Sequence, residues 1–189
     1  MPPLAVVERG QRLGLAPCTA ALPAPKTFLV PTPAIPIDIA LPDPAATAHL
    51  AARLASVARP GDVIALHGTL GMGKTAFARA FIRRLAGAEE EVPSPTFTLV
   101  QSYDTAAGTI WHFDLYRLAK PEDVWELGLE DALAGGIVLI EWPDRLGSDL
   151  PRRRLDVTLR QGDGPEARHA LLDAVGGSDL LSRLVARPC

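Results

Sequence analysis

The 189-residue chain predicts an α/β sandwich with a mixed, partly parallel central sheet, on three observations. Two short runs, Val63-Ile64-Ala65-Leu66-His67 and Ile137-Val138-Leu139-Ile140, are apolar without alternation, the pattern of strands buried on both faces. Stretches with apolar residues at helical spacing alternate with them, as in βα units. Two β-like segments, 96–103 and 109–114, are separated only by Asp104-Thr105-Ala106-Ala107-Gly108, which predicts a hairpin and makes the sheet mixed.

Along the chain, residues 1–36 stand apart. Pro2, Pro3, Pro17, Pro23, Pro25, Pro31, Pro33 and Pro36 remove backbone donors and bar both helix and central strand. This segment is expected to be a disordered N-terminal extension, or translated sequence upstream of the true start, and residues 37–189 a single domain. Asp43-Pro44 has the form of a helix start, a capping carboxylate before proline at the first helical position. Leu50, Leu54 and Val57 follow at helical spacing, and Pro60-Gly61 stops the run. Strand 63–67 comes next. Phe77, Phe81, Ile82 and Leu85 then mark one face of a helix that ends at Gly87. After the hairpin, Pro121-Glu122-Asp123 opens a further helix with its acids in the first turn. The second buried strand ends at Glu141. Weaker alternation near 154–160 and 167–174, and a short helix, close the chain.

A hydrophobic fraction of 48% suffices for a core. With a formal charge of −3, the chain has no broad basic face, so nucleic acid is not expected to be bound by charge alone. Cys18 and Cys189 form neither a metal spacing nor a disulfide framework, and no run approaches the ~20 apolar residues that span a bilayer. A reducing cytoplasm is the expected setting.

Gly68-Thr69-Leu70-Gly71-Met72-Gly73-Lys74-Thr75 satisfies the phosphate-loop pattern G-x-x-x-x-G-K-[ST], between an apolar strand and an amphipathic helix as that motif requires. Such a loop wraps backbone N–H groups around oxyanions, and side chains at Gly71 and Gly73 are expected to obstruct that approach. The following helix aims its free N–H groups and positive dipole end at the same phosphates. Lys74 brings a compact charge, and the Thr75 hydroxyl suits magnesium, a hard cation. The predicted architecture is therefore the three-layer sandwich of P-loop nucleotide hydrolases.

Two acids end strands and can complete such a site by holding magnesium or orienting water: Glu141 after Ile140, and Asp114 after Phe113. Either can instead cap the segment that follows. Ser94-Pro95-Thr96 has two readings, a hydroxyl-bearing switch that senses a γ-phosphate or a proline-stiffened strand entry. His112 is expected to pack or bond locally, and Tyr116, Arg117 and Trp142 to be core or rim residues. Arg152, Arg153 and Arg154 read first as a solvated turn before a strand. No [NT]-K-x-D guanine-reading segment is present, which favours adenine.

With these residues in view, the chain resembles the TsaE (YjeE) family of bacterial P-loop ATPases. The likeness rests on GTLGMGKT at 68–75, SPTFTLVQSY at 94–103, HFDLYRL at 112–118 and IEWPDRL at 140–146, in that order, with ELGLED at 126–131 and LPRRRL at 150–155. It implies ATP and Mg2+ as ligands and a role in making N6-threonylcarbamoyladenosine at position 37 of ANN-decoding tRNAs. In that family TsaE associates with the TsaB–TsaD heterodimer; TsaD transfers the threonylcarbamoyl group, and ATP hydrolysis by TsaE supports repeated turnover. Carried over by motif, Leu70, Gly71, Met72, Gly73, Lys74 and Thr75 bind the phosphates. Thr75 and Glu141 hold magnesium, Lys74, Asp114 and Glu141 serve hydrolysis, and Thr96 belongs to the switch. Thr47 in the first helix and Arg168 in the late strand are further nucleotide contacts on this likeness. The alternatives at this stage are a small-molecule kinase and a nucleotide-gated assembly factor in which binding does the work.

Overall fold

The computed structural model describes residues 35–187. All but the last two residues of the segment read as an extension lie outside it, as do Cys18 and Cys189. The described elements are β1 (Ile37–Leu41), α1 (Pro44–Ala55), β2 (Val63–His67), α2 (Lys74–Ala86), β3 (Val100–Thr105), β4 (Gly108–Asp114), α3 (Leu129–Gly135), β5 (Ile137–Glu141), β6 (Arg154–Gln161), β7 (Arg168–Val175) and α4 (Leu180–Ala186). Seven strands form one sheet in the order β1-β7-β6-β2-β5-β4-β3. The β2–β6, β2–β5 and β4–β5 pairs are parallel, and the β1–β7, β6–β7 and β3–β4 pairs are antiparallel. The mixed sheet expected from the sequence is present, and its parallel heart is the part that carries the continuous apolar strands.

Alternation along those strands divides the core in two. Ile64 and Leu66 of β2 and Ile137 and Leu139 of β5 face α1, α2 and α4, packing with Leu54, Phe77, Phe81 and Leu181. Val63, Val138 and Ile140 face the opposite way, onto Phe113, Leu115, Leu129 and Leu146. Successive residues of a strand point to opposite faces, so a run apolar throughout needs cover on both. The result is three layers.

Several elements form as their local chemistry predicts. Asp43 caps α1, its Oδ1 accepting from the Ala46 N–H at 2.7 Å, with Pro44 in the first turn. Gly87 ends α2 at φ 121°, a conformation that favours glycine. Two expectations need correction. Residues 96–99 are turn rather than strand: Pro93 and Pro95 deny ladder donors, and Leu99 is left-handed at φ 64°. The segment opened by Pro121 is only one 3-10 turn, Pro121–Val124, because Gly128 at φ 84° separates it from α3. β1 has no local signal in the sequence; its Ile37 and Ile39 pair with Leu172 and Ala170 at the sheet edge, a long-range contact.

Of the three consecutive arginines, Arg153 pairs with Asp179 at 2.7 Å and Arg154 with Asp156 at 2.7 Å, so the segment is partly tied to its own acids. A more buried pair locks α4. The Arg183 guanidinium donates to both oxygens of Asp62, at 2.6 and 2.8 Å, and to the Val57 carbonyl. Asp62 is only 4% exposed. Removing one partner of such a pair strands the other charge, at about 3–5 kcal/mol when fully buried. Water reaches part of Arg183, so Arg183→Met is expected to destabilise by about 2–3 kcal/mol. Chemical denaturation checks this as a lower midpoint with an unchanged slope.

Candidate functional site

Parallel pairing brings the carboxyl ends of β2, β5 and β4 to one edge of the sheet. Leu66 lies opposite Glu141, and Asp114 is also opposite Glu141. The glycine loop therefore leaves β2 beside both acids, at the edge where open α/β sheets bind ligands. A cleft of about 440 Å³ opens there, lined among others by Gly71, Lys74, Thr75, Thr96, Asp114 and Glu141.

The loop's glycines are required by conformation. Gly71 and Gly73 hold φ 81° and 98°, where a side chain is strained, yet a Cβ on either meets no atom within 4 Å. The described residues leave that side of the loop open, so the expected obstruction concerns an incoming ligand. Gly68 differs: a Cβ there falls 2.6 Å from the Leu159 carbonyl oxygen, so β6 demands glycine at the loop's start. Among the described residues no side chain caps the start of α2, which leaves its first amides facing the loop's concavity.

Lys74 is buried. Its ammonium donates to the Gly68 and Thr69 carbonyls at 2.6 and 3.0 Å and lies 3.7 Å from the centroid of the Trp142 ring. Burial pushes its pKa below the ordinary lysine value, against the opposing pull of the Glu141 and Asp114 carboxylates. A buried cation so placed favours an arriving anion.

Thr75 Oγ1 donates to Glu141 Oε2 at 2.9 Å, and His112 Nε2 lies 2.9 Å from Glu141 Oε1. Both Glu141 and His112 are buried. The bond expected to be local is instead one of 29 residues' separation, made because β4 and β5 are neighbours. Among the described residues no group of three or more His, Cys, Asp or Glu side chains is placed to hold a metal ion. Thr75 and Glu141 instead offer two hard oxygens, a set suited to a cation that keeps most of its waters.

Asp114 connects the cleft to the segment before β3. Its Oδ2 accepts from the Thr96 hydroxyl at 2.8 Å, and its Oδ1 from the Tyr116 N–H at 3.1 Å. Thr96 lies 2.7 Å from the Ser94 hydroxyl, and the Leu99 carbonyl accepts from the Asp114 N–H. Ser94-Pro95-Thr96 lies in the turn that enters β3 at Val100, and the Thr96 hydroxyl reaches the cleft, so the structure accommodates both readings of this segment.

Thr47 and Arg168 do not line this cleft. They meet in a second pocket of about 230 Å³ with Pro44, Met72, Pro165 and Glu166, which shares Gly73 and Ala76 with the first. Leu70 lies on the cleft's rim, 74% exposed, while Met72 faces the second pocket. Trp142 is half-buried and lines the cleft, a rim rather than a core position. It adopts a left-handed φ of 59°, strained for a bulky residue, and that turn lays its ring over Lys74 and against Tyr116 at 4.9 Å. Arg117 also lines the cleft, but its guanidinium rests on the exposed Phe97 ring at 4.7 Å.

Residues 41–170 match the family model described as threonylcarbamoyl adenosine biosynthesis protein TsaE. The chain is 39% identical over 142 residues to the tRNA threonylcarbamoyladenosine biosynthesis protein TsaE of Rickettsia felis, covering 75% of this chain and 83% of the relative. It is 36% identical over 135 residues to the protein of that name from Bacillus subtilis, covering 71% and 83%. Among solved structures, the crystal structure of Bacillus subtilis YdiB superposes with a TM-score of 0.66 at 27% identity, over 80% of this chain and 95% of that one.

Proposed function

This chain belongs to the TsaE family of tRNA threonylcarbamoyladenosine biosynthesis, and from that premise we propose that it is the family's ATPase subunit, binding Mg-ATP and hydrolysing it to sustain turnover of a TsaB–TsaD complex in the cytoplasm. The observation that carries this reading is the convergence of Lys74, Thr75, Asp114 and Glu141 on one cleft at the mouth of a phosphate loop.

In this reading the amides of the loop and of the first turn of α2 hold the phosphate oxygens, and Lys74 exchanges its Gly68 and Thr69 carbonyl bonds for them. Thr75 and Glu141 hold the cation. Both groups present hard oxygens that already lie together, hydrogen-bonded at 2.9 Å, so they would be offered to the same cation. Bound magnesium supplies charge neutralisation on the β- and γ-phosphates. Asp114, aimed by the Tyr116 N–H, orients the water that adds to the terminal phosphorus as its bond to the bridging oxygen breaks. Thr96, on the same carboxylate, registers whether that phosphoryl group is present. The second pocket, with Thr47 and Arg168, takes the adenosine end of the ligand.

Hydrolysis by the chain alone is expected to be slow. Arg117, the arginine that lines the cleft, is engaged with Phe97, and a cationic finger is worth about 10³–10⁵ in such reactions. Turnover measured with and without the TsaB–TsaD pair tests this. Acceleration by the pair supports the reading, and fast hydrolysis indifferent to the pair overturns it.

A further inference from the structure

We propose that His112 is a positioning residue for Glu141, clamping one carboxylate oxygen so that only the other is presented beside Thr75, and thereby tuning the site to a small octahedral cation. This rests on the proposed reading that Thr75 and Glu141 hold the metal.

β4 places Ile110, His112 and Asp114 on one face, and Ile110 is fully within the apolar core beneath α2. An aliphatic residue at 112 would continue that core. The chain instead buries an imidazole completely, which costs several kcal/mol unless its polar atoms are bonded. His112 is opposite Leu139 and Asp114 opposite Glu141, so the ring lies on the diagonal to Glu141 and reaches it from the sheet side. With Glu141 in the ionised form that a metal requires, its oxygens only accept, and the 2.9 Å contact is then an Nε2–H donating to Oε1. The other ring nitrogen, Nδ1, is buried without a partner among the described residues, which leaves Glu141 as the bond that justifies a histidine here.

The consequence is an asymmetric carboxylate. Oε1 is held by His112, and Oε2 lies toward Thr75 on α2. Magnesium demands near-ideal octahedral geometry at short distance and is served by one oxygen per carboxylate, whereas calcium readily takes both at longer distance with more ligands. A glutamate whose second oxygen is occupied and whose rotation is blocked discriminates between the two. Groups that fix a metal ligand from behind typically contribute tenfold to a hundredfold in metal affinity.

The test is calorimetric titration of the full chain with ATP in EDTA, in Mg2+ and in Ca2+. For the unaltered chain, Mg2+ is expected to raise ATP affinity more than Ca2+ does. His112→Leu should lose about tenfold of the Mg2+-dependent gain while its affinity in EDTA stays within about twofold. The gap between Mg2+ and Ca2+ should narrow with it. His112→Gln, which keeps an N–H at comparable reach, should recover most of the gain. If the leucine variant fails to fold by circular dichroism, His112→Asn carries the same expectation, since its amide is too short to reach Oε1. An undiminished Mg2+ gain in either folded variant, with the gain still abolished by Glu141→Gln, overturns the role of His112 alone. Absence of any Mg2+ gain in the unaltered chain, or its survival in Glu141→Gln, overturns both this proposal and the metal site beneath it.

Discussion

Lys74→Ala is expected to abolish measurable ATP uptake. The ammonium is buried, held by two backbone carbonyls and the Trp142 ring, with two carboxylates nearby. Truncating one partner of a desolvated charged contact costs about 2–5 kcal/mol, and a loss near 3 kcal/mol already weakens binding more than a hundredfold. Calorimetric titration checks this, with circular dichroism to show that the variant is folded. Uptake equal to that of the unaltered chain would sink the proposed site. A pH dependence follows with a definite sign. Burial lowers the pKa of Lys74, and binding needs the charged form. Affinity for ATP should therefore be fullest at lower pH and decline as pH rises through the depressed value, because binding then requires the amine to take up a proton.

Asp114→Asn should separate binding from cleavage. Asp114 bonds the Thr96 hydroxyl and the Tyr116 N–H, and its tie to the glycine loop is only the charge it presents to Lys74, so ATP affinity is expected to change by no more than about threefold. Turnover should fall by about 10²–10⁴, the range for removing a group that orients or accepts from the attacking water. Single-turnover measurements on pre-bound nucleotide, with the TsaB–TsaD pair present, make the comparison. A variant that hydrolyses at the normal rate would assign Asp114 to structure alone. A variant that hydrolyses nothing yet still supports tRNA modification would make nucleotide binding, not cleavage, the working event.

Much of this molecule was legible before folding was considered. The Asp43-Pro44 cap, the apolar strands at 63–67 and 137–141, and the loop from Gly68 to Thr75 all depend on neighbours in the chain, and each appears where its local chemistry puts it. The acids at 114 and 141 were legible because a carboxylate that ends a buried strand has one exit, the sheet's carboxyl edge. Local signal misled where backbone restraint overrode side-chain preference. The β-branched segment at 96–99 scans as strand, but two prolines and a left-handed Leu99 make it a turn.

What the chain order determined, then, was the set of chemical parts: a glycine loop between strand and helix, and two acids at strand ends. What tertiary structure alone decided was their company. His112 meets Glu141, Trp142 covers Lys74, Thr96 reaches Asp114, and Thr47 shares a pocket with Arg168 across more than a hundred residues of chain. The division has a physical cause. Hydrogen bonds between backbone neighbours and the periodicity of burial are short-range and are written residue by residue. The lateral order of strands in a sheet is set by which apolar faces and crossovers pack together, and no local run of residues encodes it.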